Sequence, residues 1–180
     1  MTLRQVQDAA PEVMWEGRFI TAVREGTWEY VRRARGITAA VILAETDEGE
    51  LLLVEQFRVP LGRKCLELPA GLIGDDDGGE CDTVEKAAAR ELEEETGYRP
   101  SHIEVLGEFY SSPGMVAESF TLVRATGLRC VGTGGGTEHE DIVVHPVPRA
   151  EVPSFIAAKR AEGVGIDVKL LLLLADKFLA

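Results

Sequence analysis

Four glutamates crowd into five positions of "AAARELEEETGY", Ala87 to Tyr98. On a helical wheel of about 100° per residue, Val84, Ala87 and Ala88 share one face, with Leu92 at its edge. Glu91, Glu94 and Glu95 fall on that same side, within an arc of about 100°. Lys86 and Glu93 lie opposite, towards solvent. A carboxylate turned towards a core costs several kcal/mol unless it is paired or coordinates a metal. Arg90 can pair with Glu94 at i+4, which accounts for one of the three. Glu91 and Glu95, also at i and i+4, are spaced to hold a hard divalent cation. Ligands that are all oxygen favour Mg²⁺ or Mn²⁺ over zinc. The competing reading is a solvated acidic face with structural ion pairs.

A second group of acids lies in "GTGGGTEHED", Gly132 to Asp141, where Glu138, Glu140 and Asp141 follow a glycine run. The glycines leave the loop free to move, and either chemistry or simple solvation fits its acids. His102, His139 and His145 are scattered, and His139 reads as an exposed loop residue. Arg58 ends an apolar strand just before Val59-Pro60. Its guanidinium suits either bidentate phosphate binding or a surface salt bridge. Trp28 suits stacking on a flat ligand or burial in a core.

These residues need a scaffold, and the chain of 180 residues, 45% hydrophobic, is long enough to bury a core. "GRFITAV" and "TWEYVRR" read as a hairpin around Glu25-Gly26. "ITAAVILAE" and "ELLLVEQFR" flank the turn "TDEG", and their continuous apolar runs predict strands buried on both faces. "KCLELPAG" is a shorter strand that stops at Pro69. After the loop "LIGDDDGGECD", Asp82 caps the glutamate helix, with Glu85 completing a capping box and Gly97 ending it. "HIEVLGEFY", "SFTLVRATGL" and "IVVHPV" are further strands. Helices are expected at about 150–162 and 167–178, the latter buried through "LLLLLA". The class is α/β, a mixed sheet sandwiched by helices.

Composition narrows the function. A net charge of -12 argues against a nucleic-acid partner. It admits an anionic substrate only where metal ions intervene. The longest apolar run is too short for a membrane span, and the N-terminus lacks the apolar core of a secretory signal. Cys65, Cys81 and Cys130 show no zinc spacing and read as free thiols of a cytoplasmic protein.

"RELEEETGY" resembles the second half of the Nudix box, G-x5-E-x7-R-E-U-x-E-E-x-G-U, through Arg90, Glu91, Leu92, Glu94, Glu95, Gly97 and Tyr98. The first half departs from that pattern. Eight residues separate Gly71 from Glu80, and nine separate Glu80 from Arg90. An extended loop accounts for this and puts the role of Glu80 in doubt. The loop reads as solvated surface, with Asp75, Asp76 or Asp77 as an alternative extra ligand. "TWEYVRR", "LLVEQFRVPLG", "LELPAGLI" and "FYSSPGM" resemble the ADP-ribose pyrophosphatase branch, as does Pro113, fifteen residues beyond Tyr98.

The resemblance implies an α/β/α Nudix sandwich over residues 36–180. Residues 1–35 would be N-terminal strands for dimerisation and base binding, exchanged within a homodimer. It implies hydrolysis of ADP-ribose, or a similar nucleoside diphosphate sugar, to AMP and ribose 5-phosphate. GDP-mannose is the alternative substrate, and a non-catalytic Nudix-fold binding module is the alternative of another class. Glu91, Glu95 and the carbonyl of Ala70 would hold Mg²⁺, with Glu94 a ligand or a partner of Arg90. Glu140, or else Glu138, would position or deprotonate the water. Trp28, Arg58, Pro113, Gly114, Met115 and Glu118 would contact substrate.

Overall fold

The computed structural model describes residues 10–33, 37–74, 83–137 and 140–179. Glu80, Cys81, Asp82, Glu138, His139 and the aspartates 75–77 lie outside these.

The expected hairpin forms from β2 (Ile20–Glu25) and β3 (Trp28–Arg33), with Glu25 opposite Trp28 and Gly26 at φ 61 in the turn. The sequence reading lacked an additional strand, β1 (Glu12–Glu16), which pairs antiparallel with β2. Every residue of β1 is exposed, so it leaves no burial alternation in the sequence.

The body holds two four-stranded sheets. In the first, β4 (Thr38–Ala44) lies between β7 (Ala70–Ile73) and β10 (Ser119–Thr126), with β9 (His102–Tyr110) on the edge. β4 and β10 run parallel, and the other neighbours are antiparallel. In the second, the order is β12 (Val143–Pro148), β5 (Glu50–Arg58), β6 (Arg63–Glu67) and β13 (Gly165–Ile166). Short strands β8 (Tyr98–Arg99) and β11 (Arg129–Cys130) form a separate pair. The turn "TDEG" closes as expected, through Thr46 N–H to Glu50 O at 2.9 Å and Gly49 N–H to Thr46 O at 3.0 Å. The strands it joins meet only in a Glu45–Leu51 bridge and then part into different sheets.

Alternate residues of β4 and β5 enter two cores, as their unbroken apolar runs predict. Ala40, Ile42, Ala44 and Leu52 pack with Ala88 and Leu92 of helix α1 (Val84–Thr96) and with Val123 and Ala125. Val41, Leu51 and Leu53 pack with Leu66, Val147 and Ile156 of helix α2 (Val152–Ala161), and with Leu170 and Leu174. The result is the expected mixed α/β sandwich, with sheets between α1 and the C-terminal segments.

Two expectations about helices need correction. Thr83, not Asp82, is the N-cap of α1, and its hydroxyl accepts Lys86 N–H at 3.4 Å. Glu85 therefore sits one position too early for a capping box and serves only as a first-turn acid. The segment after Asp167 is a 3-10 helix, Val168–Leu174, followed by helix α3 (Ala175–Leu179). Leu170 and Leu174 are buried while Leu171 and Leu172 are exposed, so the leucine run is only half interior. Thr83→Ala should cost about 1 kcal/mol by urea denaturation, because one amide of the first turn loses its acceptor.

Candidate active site

Helix α1 carries the carboxylates and β7 receives them. Glu95 is 6% exposed, and its Oε2 accepts the Ala70 N–H at 3.1 Å. Burial pushes its carboxyl up to about 8. The Ala70 amide opposes that shift, and the charges of Glu91 and Glu140 add to it. Glu91 lies against β7, where a Cβ on Gly71 would fall 1.9 Å from its carboxyl carbon. A side chain at position 71 would therefore displace Glu91. The ion pair described for Arg90 is with Glu91, at 3.3 Å, and its guanidinium also reaches the Leu72 carbonyl at 3.5 Å. Glu94 is exposed at the site's mouth. Glu93 faces solvent as the wheel predicts and forms a forked pair with Arg99 at 2.7 Å.

The glycine loop has a structural role that the sequence reading did not give it. Gly135 and Gly136 donate to the carbonyls of Glu95 and Glu94 at 2.9 and 3.0 Å. These are carbonyls that the last turn of a helix leaves unsatisfied. Gly134, at φ 62, sits so close that a Cβ would lie 2.4 Å from the Thr96 carbonyl carbon. The glycines thus permit close docking on α1. Past them, Glu140 Oε2 accepts from the Thr137 amide and hydroxyl at 3.0 and 3.1 Å.

Glu91, Glu94, Glu95, Glu140 and Ala70 together line a cavity of about 570 Å³. Arg58 and Glu118 line it too. Arg58 forms a two-pronged pair with Glu67, Nε–Oε1 at 2.6 Å and Nη2–Oε2 at 2.8 Å, and Glu118 pairs with Arg33. The other expected contact residues lie elsewhere. Trp28, Pro113 and Gly114 line a second hollow of about 310 Å³, with Glu25 and Tyr30. Trp28 is 51% exposed, so it is not a core residue. Met115 is exposed in the same turn. The two hollows are linked through β3, since Val31 N–H bonds Met115 O at 3.0 Å and Ala117 N–H bonds Val31 O at 2.8 Å.

Sequence reasoning missed Gln56, Glu67, Arg33 and Lys169, all of which line the larger cavity. Glu67 left a usable signal. It stands between Leu66 and Leu68 at the end of β6 and, like both, is buried, the kind of placement that asks for a partner.

A divalent cation fits the chemistry of this donor set. The acids are all hard oxygen ligands, and burial together with the charges of Glu91 and Glu140 disfavours an ionised Glu95 that a cation would favour. Among the described residues, no three acidic, histidine or cysteine side chains converge on one point. A cation here would also need backbone carbonyl, water or substrate oxygens.

The chain is similar to known proteins. The NUDIX domain profile matches residues 34–162. A GDP-mannose pyrophosphatase of Cronobacter sakazakii is 36% identical over 149 residues, covering 78% of this chain and 72% of the relative. An ADP-ribose pyrophosphatase of Bacillus subtilis is 46% identical over 80 residues, covering 44% of this chain and 40% of the relative. Against several curated relatives the match spans only about half of their length. A solved ADP compounds hydrolase superposes with a TM-score of 0.67 at 23% identity, over 93% of this chain and 90% of that one, which supports the fold. With the profile spanning most of the chain and the glutamate helix set against β7 as described, the protein belongs to the NUDIX family.

Proposed function

We propose that this protein hydrolyses the pyrophosphate bond of ADP-ribose, or of a similar nucleoside diphosphate sugar, to AMP and ribose 5-phosphate. The observation that carries this is Glu95, a buried carboxylate bonded to the Ala70 amide in a cavity shared with Glu91 and Glu140. Glu91, Glu95, the exposed Glu94 and the Ala70 carbonyl would hold Mg²⁺ or Mn²⁺. Bound there, the cation would neutralise the diphosphate and acidify a water. Glu140, held by Thr137 on the docked glycine loop, would orient the attacking water and accept its proton; Glu138 is the alternative in this role. Arg58, held flat by Glu67, grips a phosphate through its remaining N–H donors.

The second hollow would take the base, with Trp28 against its face and the Pro113–Gly114–Met115 turn along its edge. Glu118, tied to Arg33 of β3, stands between base and phosphates, near the ribose. Trp28→Ala should raise KM for the substrate about tenfold by loss of stacking, with kcat little changed in steady-state assays. The N-terminal strands, residues 1–35, would also build a homodimer by exchange. Their exposed Val13, Met14, Trp15, Phe19 and Ile20 support this, and a monomer by light scattering at micromolar concentration would remove it. No described helix is long and apolar enough to cross a membrane, and Cys65 and Cys130 are free thiols. A cytoplasmic location is part of this proposal.

GDP-mannose is the second reading, because relatives named for that activity align over more of their length. Chromatography of products from a panel of nucleotide sugars with Mg²⁺ separates the two, by AMP or GMP released. Absence of hydrolysis across the panel would leave a non-catalytic binding module.

A further inference from the structure

Among the described residues, four cationic side chains line the larger cavity, Arg33, Arg58, Arg90 and Lys169. Each arginine is paired to a carboxylate that itself lines the cavity: Glu118, Glu67 and Glu91. Lys169 differs. Its Nζ lies 2.8 Å from Asp167 Oδ2, and Asp167 is not among the lining residues. The other oxygen of Asp167 accepts the Lys169 backbone N–H at 2.8 Å, capping the 3-10 helix. One aspartate thus fixes both the backbone and the ammonium of Lys169. Asp167 is fixed in turn, since its N–H donates to Leu66 O at 3.0 Å, next to the Glu67 that holds Arg58. The Lys169 ammonium also lies 5.7 Å from the centre of the Phe120 ring, another lining residue. The lysine is mostly buried, with 19% of its side chain exposed. An ammonium has three N–H donors, so Asp167 leaves others for a ligand.

We propose that Lys169 is a substrate-binding residue that donates to the diphosphate oxygens of the nucleoside diphosphate sugar. It stands at the start of the 3-10 helix, which Asp167 ties to β6, and shares the cavity with Glu91, Glu94 and Glu95 of α1 and Glu140. This assignment rests on the proposed hydrolysis. A point cation on a preorganised stem suits a non-bridging phosphate oxygen, whereas the arginines are held by carboxylates within the cavity. The contact is independent of base and sugar, so it acts equally on every substrate of the class.

The test uses the full chain with Mg²⁺, comparing wild type, Lys169→Met and Lys169→Arg. Lys169→Met keeps the length of the stem and removes the charge. Its KM should rise about tenfold, the loss of one charge-assisted hydrogen bond, with kcat within about twofold. The increase should match between ADP-ribose and a second ADP-sugar. Inorganic pyrophosphate, added as a competitive inhibitor, should weaken by a similar factor, and Lys169→Arg should recover part of both losses. Melting temperatures monitor folding of each variant. Active wild type with KM and pyrophosphate inhibition unchanged in a folded Lys169→Met would overturn the assignment alone. Losses confined to one sugar would also overturn it, in favour of a sugar contact. Inactive wild type that binds no nucleoside diphosphate sugar would overturn the hydrolytic reading and this assignment with it.

Discussion

Glu95→Gln is expected to lower kcat on the order of 10³-fold, about 4 kcal/mol of transition-state stabilisation, while making the metal-free protein more stable at alkaline pH. The two effects share one cause. Glutamine preserves the shape of the side chain and can still accept the Ala70 N–H, but it cannot carry the charge that would hold a divalent cation. In the metal-free protein that charge is a liability. Glu95 is buried and sits near Glu91 and Glu140, which raises its carboxyl from the ordinary 4.5 to about 8.

The sign follows from linkage. Between pH 4.5 and 8 the folded protein holds a proton on Glu95 that the unfolded chain has released. Stability contributed by that proton is present below the unfolded value and is lost as pH rises through the window. Urea denaturation in EDTA should therefore show wild type losing a few kcal/mol between about pH 5 and 8, as an order of magnitude. Glu95→Gln should lack that slope. Saturating Mg²⁺ should flatten the wild-type slope as well, and near neutral pH its binding should release protons measurable by calorimetry in buffers of different ionisation enthalpy.

Gly134→Ala carries the second large effect. Its Cβ would sit 2.6 Å from the Glu95 carbonyl oxygen and closer still to the Thr96 carbonyl carbon, at a φ of 62. Both obstacles are helix backbone, which cannot rotate away. A left-handed conformation for alanine costs on the order of 1 kcal/mol and the clash adds to it, so a loss of about 2 to 4 kcal/mol in stability is expected. Undocking the loop would also shift Glu140, and a displacement of about 1 Å at a reacting group costs on the order of 10²-fold in kcat. Gly132→Ala is the control. A Cβ there meets nothing within 4 Å, so both stability and rate should stay close to wild type.

That pair of glycines also shows what the sequence could and could not convey. The run "GTGGGT" was legible as special backbone, but composition alone suggests mobility. The steric reason lies in the backbone of Glu95 and Thr96, almost forty residues earlier, which only the fold brings into contact. The carboxylates of α1 were legible because the helical period places them by arithmetic. Glu91 and Glu95 do lie on the inward side, and Glu93 does face solvent. Glu94 turned out exposed, since it lies at the rim of that arc. Strands β4 and β5 announced themselves by unbroken apolar runs, whereas β1 is exposed throughout and left no pattern. Glu67 and Lys169 were missed because their significance depends on partners across strands, Arg58 in one case and the Phe120 wall in the other. The cap of α1 is Thr83, one residue after the expected Asp82, a shift within the precision with which sequence places a helix end.

The central claim is that the inward carboxylates of α1 form the metal site for diphosphate cleavage. Crystals grown with Mn²⁺ and a non-hydrolysable ADP-ribose analogue address it directly through anomalous scattering. The account predicts a manganese peak about 2.1 Å from a Glu95 carboxylate oxygen, with Glu91 on the same ion and the diphosphate of the analogue against it. Manganese bound only elsewhere, with Glu95 still buried and bonded to Ala70 while the analogue occupies the cavity, would contradict it.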